Sequence, residues 1–177
     1  MNGYVINVVL FQIGWFACVL SAAAGHPWLG ALMALLIIAW HVRRAPLPRA
    51  ETKLIVLAVA IGAIWESLLV WQGWLVYPTG MLLPNVAPYW IVVMWALFAI
   101  TLNASLRWLK GRWLMGVLFG AAGGPLAFLA GREFGAVEFA DTQVALTALM
   151  IGWAVLTPLL LGLSRRYDGY SIERATP

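Results

Sequence analysis

The chain has 177 residues, 63% of them apolar and only 10% charged. A soluble domain of that size could not cover itself with so few polar side chains, so lipid is the expected solvent. The formal charge of +4 sits in connecting segments and reads as membrane topology and anionic-lipid contact, which argues against a nucleic-acid partner.

A membrane-crossing helix needs roughly 20 predominantly apolar residues, and six such segments are predicted along the chain. The first spans Tyr4 to Ala24. The run Ala22-Ala23-Ala24 imitates a cleavage site, but no Lys or Arg precedes it, so the segment is expected to be a retained helix. Its small and polar stripe of Asn7, Phe11, Gly14, Cys18, Ser21 and Gly25 suits packing against other helices. The second segment spans Pro27 to His41, with Pro27 fit for a first helical turn. The third spans Lys53 to Trp74 and the fourth Pro88 to Leu106. The fifth, Trp113 to Gly131, carries Gly116, Gly120 and Gly124 at four-residue spacing, and Gly123-Gly124-Pro125 predicts a helix kink where Pro125 donates no backbone bond. The sixth spans Thr142 to Leu163.

All but one of the eleven Lys and Arg residues fall in three groups. These are Arg43, Arg44, Arg49 and Lys53; Arg107, Lys110 and Arg112; and Arg165, Arg166 and Arg174. Such groups stay on the cytoplasmic side, so both termini are expected there. The exception, Arg132, is offset by Glu133, Glu138 and Asp141. Trp28, Trp74, Tyr77, Tyr89 and Trp90 on the outer side, and Trp40, Trp108 and Trp113 on the inner side, are expected to form interfacial belts. The predicted fold is therefore all-α, a polytopic membrane helix bundle of six transmembrane helices. It forms a single domain over residues 1–164, followed by a short basic cytoplasmic tail over 165–177.

Among polar residues within the spans, Glu66 stands out, because an ionisable group near the midplane is costly to keep. Gly62 and Ala63 flank its helical face, so the carboxyl is expected to look into the bundle and to be neutral there. Asn103 and Arg107, four apart on the fourth segment, approach the same interior from the cytoplasmic side and suit a headgroup or carboxylate. Asn7 and Gln12 in the first segment, and Gln72 in the third, are weaker members of this polar set. His26 and His41 lie at opposite ends of the second segment, about 22 Å apart, and cannot share a metal. With Cys18 the lone cysteine, no metal site is expected. No histidine box, phosphate loop or serine elbow is present, and no cofactor is expected.

Three runs, Asn7 to Phe16 (NVVLFQIGWF), Thr101 to Leu109 (TLNASLRWL) and Gly123 to Gly131 (GGPLAFLAG), carry a resemblance to a bacterial family of small inner-membrane proteins classed only as a domain of unknown function. The resemblance covers nearly the whole chain. It implies a bacterial inner membrane and a link to fatty-acid modification, with no established activity. Three functions are compatible with these residues. The first is a lipid-associated enzyme or accessory subunit whose cavity holds membrane lipid near Asn103, Arg107 and Glu66. The second is a small proton-coupled transporter titrating Glu66. The third is a scaffold whose glycine-lined faces bind a partner membrane protein or a second copy of the chain.

Overall fold

The computed structural model describes residues 3–171. The chain forms α1 (Gly3–Ala23), α2 (Pro27–Arg44), α3 (Pro48–Trp71), β1 (Leu75–Val76), α4 (Tyr89–Leu102), a 3-10 turn (Arg107–Leu109), α5 (Trp113–Glu133), β2 (Glu138–Phe139) and α6 (Thr142–Arg166). Four helices, α1, α3, α5 and α6, are long and apolar enough to cross a membrane. The helix α4 is apolar but has only 14 residues. Arg174, one of the cations used to assign sidedness, lies outside the described residues.

Helix ends follow local chemistry. Pro27 and Pro48 open α2 and α3, where a missing N–H costs no helical bond. Asp141 caps α6, its Oδ1 accepting from Gln143 N at 2.9 Å and Val144 N at 3.0 Å. At the opposite ends of α1, α3 and α5 the chain turns through left-handed glycines, Gly25, Gly73 and Gly135, with φ of 80°, 70° and 82°. Each turn closes with a bond five residues back, His26 N to Ser21 O, Trp74 N to Leu69 O and Ala136 N to Gly131 O. A Cβ would be strained at these three positions.

The six helices run alternately up and down, and the basic residues at the ends of α2 and α6 gather at one end of the bundle. At the other end β1 and β2 pair antiparallel, Leu75 opposite Phe139 and Val76 opposite Glu138, which ties the α3–α4 connection to the α5–α6 connection. Helices α1 to α4 form a four-helix core, and α5 packs chiefly on α6.

Glycines set the close approaches. A Cβ on Gly30 would strike the Ala17 and Cys18 backbone, one on Gly62 the Trp95 indole, and one on Gly120 the Trp153 carbonyl and Thr157. The Gly116, Gly120 and Gly124 face of α5 is therefore covered by α6 of the same chain. The helix α5 continues unbroken through Pro125, as α6 does through Pro158.

The fourth segment ends earlier than its apolar run predicts. Helix α4 stops at Leu102, because Asn103 is drawn sideways into a polar network and Ala104 N and Leu106 N both fold back onto Thr101 O. Asn103 and Arg107 are thus a C-cap and a 3-10 residue. The third helix starts earlier than predicted, at Pro48, which places Glu51 in its first turn.

The aromatic belts need a similar correction. Trp28, Trp40, Trp108 and Trp113 are exposed at helix ends, as expected, but Tyr77 and Trp90 are buried. The Tyr77 hydroxyl donates to Glu66 and the Trp90 indole donates to Thr79 O at 3.1 Å.

Candidate functional site

Two polar assemblies occupy the bundle, and α3 carries an acidic residue in each. Glu51 and Glu66 stand fifteen residues apart on that helix, about 22 Å at the usual rise. The polar set expected from the sequence therefore divides.

The first assembly is a cleft of about 700 Å³ between α1 and α4 on one side and α5 and α6 on the other. Its origin is a size mismatch. The glycines of α5 draw that helix onto α6, while α1 and α4 present Phe11, Trp15, Trp95 and Phe98 toward the gap. At one end Phe134 closes the gap against Trp15 and Phe16, with ring centroids 6.4 and 6.1 Å apart. Elsewhere the lining includes the exposed side chains Val8, Gln12, Phe119 and Leu126, so the cleft opens sideways between α1 and α5.

Glu66 is fully buried and lines this cleft. Its Oε2 accepts from the Tyr77 hydroxyl at 3.2 Å and its Oε1 from the Trp95 indole at 3.3 Å. Burial first, and then the Glu66 carboxyl beside it, hold the Tyr77 phenol well above its ordinary pKa. Trp95 stacks on Trp153 at 4.8 Å and 14°, and Phe98 meets both edge-on. Among the described residues Glu66 is the only acidic or basic side chain lining the cleft. Two other lining residues hold buried polar atoms with no partner, Nε1 of Trp153 and Oγ1 of Thr157. An orphaned buried donor or acceptor costs about 1–3 kcal/mol, so the pair needs an explanation.

The second assembly lies at the basic end. Glu51, fully buried, accepts from Asn103 Nδ2 at 2.7 Å and from Gly169 N at 3.2 Å, and its other oxygen sits 2.8 Å from His41 Nε2. Asn103 also donates to Tyr167 O at 3.0 Å, and its Oδ1 accepts from Lys110. The three ammonium donors of Lys110 are all used, on Asn103 Oδ1, Ser164 O and Asp168 Oδ2. Asp168 receives the fork of Arg107 as well, at 3.1 and 3.0 Å. Tyr170 reaches the His41 carbonyl at 2.8 Å. Burial depresses the Lys110 pKa against the opposing pull of Asp168, and burial lifts the Tyr170 phenol to about 12. The network fastens α2, α3, the end of α4 and residues 167–170 to one another.

Glu66 and Gln12 thus belong to the cleft, whereas Asn103 and Arg107 belong to the network and bind protein groups there. Asn7 serves neither directly. It donates to Ile100 O at 3.1 Å and accepts from Ser105 Oγ at 2.6 Å, which fixes α1 against the end of α4. Gly123 and Gly124 line the cleft and Pro125 lies just beyond them.

Sequence reasoning missed Glu51, Lys110, Asp168, Tyr77, Trp153 and Thr157. The signal for Glu51 was Pro48, which marks a helix start three residues upstream. Nothing in the local pattern marks the others, since their partners lie far along the chain.

Comparison with curated proteins and with solved structures gives no match. Residues 4–159 match the family described as "Protein of unknown function (DUF2878)", a stretch that reaches into all six helices and covers the cleft lining but ends before Ser164 and residues 167–170 of the basic-end network, and the chain belongs to that family.

Proposed function

We propose that the chain is an integral protein of a bacterial inner membrane, with six spans and both termini cytoplasmic, whose cleft holds the hydrocarbon chain of a membrane lipid. The six-span reading rests on the alternation of the helices and on the cations gathered at one end of the bundle. A 14-residue α4 covers about 21 Å, short of a full crossing. Nine of its residues are buried, so its neighbours shield its ends and the turn at residues 103–106 from lipid. The sequence domain of residues 1–164 then extends functionally to Tyr170, whose hydroxyl is bonded to α2.

The observation that carries the lipid reading is the sideways-open, aromatic-walled cleft. A volume of about 700 Å³ is within the range of small-ligand sites, and its opening between α1 and α5 faces the hydrocarbon in the six-span arrangement. One carboxyl, with no His, Lys or Cys among the described lining residues to act with the hydroxyls of Thr101, Ser105 and Thr157, favours holding a substrate over transforming it. The reading is an accessory subunit of fatty-acid or phospholipid modification.

The test uses the full chain in mild detergent and a diazirine-bearing hexadecane. Gly123 lines the cleft, and a Cβ there would meet only Phe119 at 3.9 Å. Gly123→Leu therefore fills the cleft without disturbing the α5–α6 contact. Photolabel is expected on Phe119, Leu126 and Trp153, and Gly123→Leu is expected to remove it. Label spread evenly over the exposed helix faces and indifferent to Gly123→Leu would overturn the reading.

A further inference from the structure

The cleft contains a small set of polar atoms, and their donor and acceptor character restricts what can sit against them. The Trp153 Nε1 donor is buried and unpartnered. The Thr157 hydroxyl, on a residue with no exposure, is also unpartnered. A helical threonine commonly bonds the carbonyl four residues back, here Trp153 O, and this one does not. Gly120 and Gly124 lie directly opposite, where a Cβ would run into Thr157 Oγ1 and the Trp153 indole respectively. With no side chain on either glycine, α5 lies close against both polar groups and offers them no hydrogen-bonding side chain. Glu66 adds a carboxyl reached through the Trp95 indole, which is stacked on Trp153.

We propose that this cluster is a recognition site for an uncharged hydroxyl on a long hydrocarbon, the headgroup of a neutral lipid, seated where Trp153, Thr157 and Glu66 converge. The proposal rests on the cleft being a lipid site and adds the class of headgroup. A hydroxyl oxygen accepts from the Trp153 indole, and its proton goes to Thr157 Oγ1 or to the Glu66 carboxyl. A carboxylate or phosphate finds no Lys, Arg or His among the described lining residues and meets Glu66 instead. An ammonium has protons to give and no lone pair for the Trp153 N–H. The basic groups that could hold an anion, Arg107 and Lys110, are committed to Asp168 in the other assembly.

The experiment is a competition on the full chain in mild detergent. Diazirine-bearing hexadecane labels the cleft, and hexadecanol, hexadecylamine and palmitate, matched in chain length, compete for it. Hexadecanol is expected to compete about tenfold better than the other two, the worth of one good hydrogen bond. Trp153→Phe, which keeps an aromatic ring and removes the N–H, and Thr157→Val, which keeps the shape and removes the hydroxyl, are each expected to erase most of that preference. Equal competition by all three, or preference for the amine or the acid, overturns the headgroup assignment and leaves chain binding standing. A preference that survives both substitutions also overturns it. Absence of cleft labelling by hexadecane removes the lipid reading together with this one.

Discussion

Asn103 and Glu51, fifty-two positions apart in the chain, meet at 2.7 Å at the point where α4 stops being a helix. The contact explains the stop. Asn103 uses one amide to satisfy a buried carboxyl, a buried ammonium and the Tyr167 carbonyl at once. Asn103→Ala deprives all three, and is expected to lower stability by about 3 kcal/mol, since half-satisfied buried networks are costly. Asn103→Asp costs more, because it sets an acceptor against the Glu51 acceptor. Thermal unfolding in detergent, with protease access at Tyr170 as a second readout, checks this. An unchanged midpoint in both variants would refute the account.

Gly62 supports the cleft from behind. A Cβ at that position would overlap the Trp95 indole, which is packed between α3 and the Trp153 ring. Gly62→Ala is expected to destabilise the fold by roughly 1–3 kcal/mol through overpacking. It also shifts Trp95 away from Glu66, so hexadecane labelling of Trp153 falls more than labelling of the outer faces. Gly162 has nothing near its Cβ position, and Gly162→Ala is the control whose effect is a few tenths of a kcal/mol at most. Equal effects of the two alanines would show that the Trp95 contact is unimportant.

How much of this was legible beforehand depended on how far apart the partners stand. Helix starts at Pro27, Trp113 and Thr142 follow from residues within one turn of each boundary. The α5 face is legible too, since a glycine stripe needs only a neighbour, and α6 supplies it. Glu66 could be placed inside the bundle because Gly62 lies one turn away on the same helix. Its partners could not, because Tyr77 reads as a belt residue until the β1–β2 pairing brings its segment back over the bundle. Asn103 and Arg107 were recognised as polar residues facing inward, but the tail that satisfies Arg107, through Asp168, is sixty-one positions away. Local pattern locates a polar side chain, and only the tertiary arrangement tells whether protein or ligand answers it.

Two of the five tyrosines should resist alkali. The Tyr170 phenol moves from an ordinary 10.0 to about 12, burial being the main cause, and Tyr77 is shifted well upward for the same main reason. A phenol raised in the folded state contributes stability that is complete below its unfolded pKa and vanishes as pH climbs through the folded one. Stability should therefore decline between about pH 10 and 12. In a tyrosinate absorbance titration, the difference between wild type and Tyr170→Phe should show a step near 12. A step centred near 10 would mean that Tyr170 is not held in the network.

Orientation can be tested with the chain's own single cysteine removed. Cys18 is buried, and Cys18→Ala gives a background for placing reporters at the two ends of the bundle. Arg49, in the first turn of α3, and Leu82, in the α3–α4 connection, are both exposed and lie at opposite ends of the bundle. In intact bacterial cells, an impermeant maleimide is expected to label the Leu82→Cys variant and to leave the Arg49→Cys variant unlabelled until the membrane is opened. The basis is the retention of Lys- and Arg-rich connectors on the cytoplasmic side. Since α2 and α6 both finish at the Arg49 end, the same result places the Asp168 and Tyr170 tail inside the cell. Labelling of the Arg49→Cys variant from outside would reverse the topology, and the basic-end network would then face the periplasm.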